Sequence, residues 1–123
     1  MKKIIFMVLL GLSSLAQANS ACDTPKNDFD GLYCLDKVYL EADKELNNAY
    51  KKLKGQLDNQ GQEALKTGQL VWMENRNNEC SRHEANGFFV NLDCATKTTV
   101  ERLRFLQDRA RECASSGCQN SKL

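Results

Sequence analysis

Gln69, Trp72, Arg76 and Cys80 follow one another at intervals of three, four and four, so in a helix they share one face. An amide, the chain's only Trp, a guanidinium and a thiol make an uncommon row. Trp gains most from burial with its N–H satisfied. Arg can lie on an aromatic face while its fork reaches an oxygen, and Cys can crosslink the helix end. The spacing therefore predicts an anchor: Trp72 fills the core, Arg76 bridges to a neighbouring helix, and Cys80 ties down the end. Ligand contact by Gln69 or Arg76 is the sharper alternative.

Catalysis has little to work with. The chain holds one His, His83, and shows no Ser-His-Asp spacing, nucleophile elbow or Gly-rich phosphate loop. Asp43 and Glu45, two apart on a helix, point to different faces and make a poor acid/base pair. No C-x-x-C pair is present, which argues against zinc. The chain is read as a non-enzyme with no metal and no cofactor.

Six cysteines, Cys22, Cys34, Cys80, Cys94, Cys113 and Cys118, point instead to three disulfides in a small exported domain. The start of the chain agrees with export. Lys2 and Lys3 precede an apolar run from Ile4 to Leu12, and Ala16-Gln17-Ala18 is a small-x-small cleavage site, so residues 1–18 read as a signal peptide. The run is too short to span a membrane. Lipoprotein anchoring at Cys22 is less favoured, because Asn19 stands three residues before it and lipidation would strand an odd thiol. The expected address is the periplasm or beyond. Without Lys2 and Lys3, fifteen basic side chains face sixteen acidic ones. That balance argues against nucleic acid and against stable membrane association.

Residues 19–123 then form a single domain. Leu35, Tyr39, Ala42, Leu46, Ala49, Leu53 and Leu57 recur at alternating fours and threes, predicting a long helix over about 31–57. A turn at Asp58-Asn59-Gln60-Gly61 leads to a second helix over 62–80. Val100, Leu103, Phe105, Leu106 and Ala110 mark a third over about 95–111, with Thr96, Thr98 or Thr99 as caps. No strand alternation is visible. The fold class is all-α: a three-helix up-down bundle, a long helical hairpin plus a third helix, with a loose tail at 119–123. In that arrangement Cys80 and Cys94 lie at one end, which favours Cys80–Cys94, Cys113–Cys118 and Cys22–Cys34. A crossed set, joining Cys22 or Cys34 to Cys80 or Cys94, remains open.

Three ordered sets of residues carry a resemblance. They are Ala42-Asp43-x-Glu45-Leu46-Asn47-x-x-Tyr50 after Cys34, Gln69-x-x-Trp72-x-x-x-Arg76-x-x-x-Cys80, and Cys94 followed by Thr99-x-x-Arg102. Together they resemble the lysozyme-inhibitor LprI-type N-terminal domain family of small exported bacterial proteins. The resemblance implies an all-α, disulfide-linked fold and, as partner, a lysozyme or other cell-wall hydrolase. A periplasmic interaction or envelope-stress module without a lysozyme target is the alternative. In physical terms, Asp43 or Asn47 can accept from Arg76 or Arg102 across the helix pair, with Tyr50 beside them. Arg102, Arg104, Arg109 and Arg111 read as a solvated basic face.

The segment 81–93 is the candidate binding loop. Arg82, His83 and Glu84 precede an Asn86-Gly87 turn and the run Phe88-Phe89-Val90. Such a run either packs down over the helix ends, the default, or stays exposed as an anchor. Exposed, it would offer Phe88 or Phe89 as a wedge, with Arg82 and His83 beside it.

Overall fold

The computed structural model describes residues 22–123; the signal peptide and cleavage site expected over 1–18 lie outside them. The described chain is mostly helical, with α1 at Asp28–Gln56, α2 at Asn59–Cys80 and α3 at Leu92–Ser115. Two short strands, β1 at Ser81–Glu84 and β2 at Gly87–Val90, fill most of the connection between α2 and α3. A 3-10 turn at Asn120–Lys122 closes the chain.

Each helix begins three residues before its expected start, because a polar side chain caps it there. Asn27 accepts from the Asp30 N–H, Asp58 from Gly61 and Asn91 from Cys94. The threonines expected to cap the third helix lie inside it. Thr96 Oγ1 donates back to the Leu92 carbonyl at 2.7 Å, and Thr99 is fully buried.

The helices share one core: Leu46, Leu53 and Leu57 from the first stripe, Leu65 from α2, and Leu103, Leu106 and Ala110 from α3. α1 and α2 follow one another through a tight turn as expected, but they are not each other's main packing partners. α1 packs chiefly along α3, and α2 touches α1 only sparsely. The reason lies in the side chains, since α2 buries only Gly61, Leu65 and Cys80, too few apolar positions for two broad interfaces. Gln56 at the end of α1 donates to the Ala110 carbonyl at 3.2 Å, so α1 and α3 run parallel. Arg102 reaches Gln69 and Cys80 is bonded to Cys94, so α2 runs against α3.

The cysteines form the uncrossed set, Cys22–Cys34, Cys80–Cys94 and Cys113–Cys118. The tail is not loose. Asn120 donates to the Asp58 carboxylate at 3.0 Å and Leu123 packs against the core. The Asp58 carboxyl consequently sits below the ordinary carboxylate range, first through the Gly61 N–H and then through Asn120. Among the described residues no helix is long and apolar enough to cross a membrane.

Candidate functional site

The segment read as a loop over 81–93 is a β-hairpin. Ser81 pairs with Val90, Arg82 with Phe89, His83 with Phe88 and Glu84 with Gly87. Ala85 and Asn86 make the turn, and Gly87 takes the positive φ of 148° that an L side chain would resist. The turn expected at Asn86-Gly87 therefore sits one residue earlier, with Gly87 already paired to Glu84. The strands were not legible, since four residues each with mixed polarity carry too little alternation.

A lone two-stranded hairpin is marginal in water. This one is held at its base. The Cys80–Cys94 bond spans its two feet, and the Asn91 N–H donates to the Cys80 carbonyl at 2.8 Å.

Strand alternation gives the hairpin two faces of different character. On one, the Arg82 guanidinium lies 4.7 Å from the centre of the Phe89 ring, and its Nε donates to Glu84 at 2.7 Å. That face is internally satisfied. The other carries Ser81, His83, Phe88 and Val90, and Phe88 remains 74% exposed. The default expectation that Phe88, Phe89 and Val90 pack over the helix ends is therefore corrected. The hairpin leaves both rings exposed, Phe88 more than Phe89.

At the foot of the second face lies a cavity of about 250 Å³, bordered by Asp36 and Tyr39 of α1, Arg76 of α2, Val90 of β2, and Leu92 and Ala95 of α3. Val90 belongs to the apolar run that the sequence displays, whereas the cavity has no counterpart there, because only the tertiary arrangement brings α1 to the hairpin's base.

The motif residues divide between scaffold and surface. Trp72 is half-buried against the core rather than filling it. The Arg76 guanidinium lies 5.0 Å from its ring centre and donates to Asn77 on the same helix, so it does not bridge to a neighbour. The cross-helix clasp is formed instead by Arg102, whose Nε donates to Gln69 at 2.9 Å. Asp43 and Asn47 take no part in it. Asn47 donates to Asp43 at 3.3 Å along the outside of α1, where Glu45 is half-buried.

Tyr50 packs against the core. Arg102 and Arg109 both lie over Phe105, at 4.5 and 5.2 Å, so the basic face of the third helix is only partly solvated. Burial lowers the Arg102 pKa from its ordinary value, and its Nη2, like Thr99 Oγ1, is buried without a partner. Gln69 and Arg102 thus hold α2 to α3. Arg82, His83, Phe88 and Phe89 stand out in solvent.

A family model described as Lysozyme inhibitor LprI matches residues 19–106. The span takes in α1, α2, the hairpin and α3 as far as Leu106, and stops before the Cys113–Cys118 bond. No curated protein and no solved structure matches the chain.

Proposed function

Since the chain belongs to the lysozyme inhibitor LprI family, we propose that it is exported to the periplasm or beyond, where it binds a lysozyme and occludes its cleft with the β1–β2 hairpin. The observation that carries this reading is Phe88, 74% exposed on a hairpin whose base is closed by a disulfide. Lysozymes work in a long saccharide cleft with two carboxyl groups flanking the scissile bond. A two-stranded ribbon is narrow, with strands about 4.8 Å apart and four residues reaching about 13 Å. It fits a groove shaped for a sugar chain.

Phe88 acts as the wedge and displaces water from the apolar floor. Arg82 supplies a cation near the carboxylates. Its pairing with Glu84 is an exposed one, weak enough to exchange for a partner's carboxylate. Because the disulfide orders the hairpin beforehand, little conformational freedom is lost on docking.

The test is a cell-wall clearing assay with the oxidised protein titrated against animal and bacterial lysozymes, a reduced and alkylated sample serving as control. Saturable inhibition of one class is expected, lost on reduction and weakened at least about tenfold by Phe88→Ala, the scale of an interface anchor. Absence of inhibition at large molar excess across the panel overturns the reading.

A further inference from the structure

The hairpin is not the only projection at its end of the molecule. α1 and α3 run parallel, and the Gln56–Ala110 hydrogen bond places Val38 roughly level with Leu92, the first residue of α3. Asp36 and Tyr39 border the same cavity as Leu92 and Ala95, which agrees with that register. The ten residues from Asp28 to Lys37 therefore overhang the start of α3 by about 15 Å at 1.5 Å per residue. They overhang on the side from which the hairpin emerges.

The overhang is rigid. Asn27 caps it, Cys22–Cys34 bonds the lead-in to it, and Pro25 sits close over Gly31. At 100° per residue, Gly31 and Cys34 lie on the opposite side of the helix from Phe29 and Tyr33. The lead-in thus covers one side and leaves the other open. Phe29 is 85% and Tyr33 68% exposed, with Leu32 beside them. With Phe88, Phe89 and Val90 of the hairpin, most of the large exposed apolar side chains gather at this one end. Such a concentration marks an interaction surface.

We infer that the α1 overhang is the second jaw of the docking surface, gripping the basic rim of the enzyme whose cleft the hairpin enters. This rests on the lysozyme reading above. The charge of the overhang fits that occupant, since Asp28, Asp30 and Asp36 stand against Lys37 alone. An enzyme that degrades an anionic cell wall gains from a positive field around its cleft. Phe29 and Tyr33 bury against the rim, Asp28 and Asp36 pair with its cations, and the cavity between the jaws receives whatever side chain the rim presents.

The experiment compares inhibition constants of the oxidised full chain and three double variants, at low and moderate salt, against a lysozyme the native protein inhibits. Phe29→Ser/Tyr33→Ser is expected to weaken inhibition at least about tenfold. Asp28→Asn/Asp36→Asn, which leaves the apolar packing intact, should weaken it less and flatten its salt dependence. Leu70→Ser/Val71→Ser, exposed halfway along α2, should match the native protein. Matched melting curves establish that all three fold. If both overhang variants inhibit like the native protein while Phe88→Ala does not, the second jaw is overturned and the hairpin reading stands. If the native protein binds no lysozyme, the hairpin reading falls and the second jaw with it.

Discussion

The two ends of this molecule use similar apolar side chains in opposite ways. Where α1 meets α2, Leu53, Leu57, Leu65, Leu106 and Ala110 are buried together, and the tail closes over them through Asn120 and Leu123. At the other end, Phe29, Tyr33 and Phe88 face solvent on elements held by Cys22–Cys34 and Cys80–Cys94. Packing dominates the first end, where the Cys113–Cys118 bond closes only a short terminal loop, and longer crosslinks secure the second. A domain that must keep aromatic rings free for a partner cannot also use them for its own core, and disulfides supply the missing order.

The sharpest way to break this contrast is to truncate one side chain at each end. Leu106, fully buried, should cost about 2–5 kcal/mol as Leu106→Ala, read from urea denaturation. Phe88→Ala should leave the midpoint nearly unchanged, within about 0.5 kcal/mol. Equal losses at both sites would mean that the hairpin packs on the core in solution.

Removing the base clamp comes next. The pair Cys80→Ala/Cys94→Ala opens a loop with a sequence separation of 14 and should lower stability by about 3 kcal/mol. Amide exchange should rise first in Ser81–Val90, while the Leu53–Leu106 core stays protected until global unfolding.

Two glycines refine the comparison further. Gly55, exposed in α1 with open space where a Cβ would stand, should gain about 0.5–1 kcal/mol on Gly55→Ala. Gly61→Ala should destabilise, because the added Cβ would lie 2.5 Å from Asn120 Oδ1 and 3.1 Å from Leu57. Thermal melts of the two should shift in opposite directions.

The smallest effect concerns pH. The folded-state pKa of Asp58 is lowered by the Gly61 N–H and Asn120, so its contribution is present above the ordinary carboxylate pKa and lost as pH falls through the lowered value. Asp58→Asn should flatten the acid limb of the melting profile slightly; in an Asn120→Ala background the flattening should shrink but persist, because the Gly61 N–H, the larger cause, remains.

Much of this architecture was readable in the amino-acid order. The recurrence of Ala42, Leu46 and Leu53 at helical spacing identifies the buried side of α1, and Leu103, Leu106 and Ala110 do the same for α3. The motif spacing from Asp43 to Arg102 carried the family, and six cysteines in a chain that reads as exported implied crosslinks. Periodicity records which side of a helix is buried, because burial and side-chain type are coupled at every turn.

It does not record against what that side is buried. Only the tertiary structure decided that α1 lies chiefly along α3, that Arg102 rather than Arg76 clasps the neighbouring helix, and that Gln69 rather than Asp43 receives it. Those choices depend on distances between residues far apart in the chain. The same holds for the candidate site. Phe88-Phe89-Val90 is an apolar run whether it is covered or not, and its exposure depends on how the hairpin between the end of α2 and the start of α3 sits against the helices.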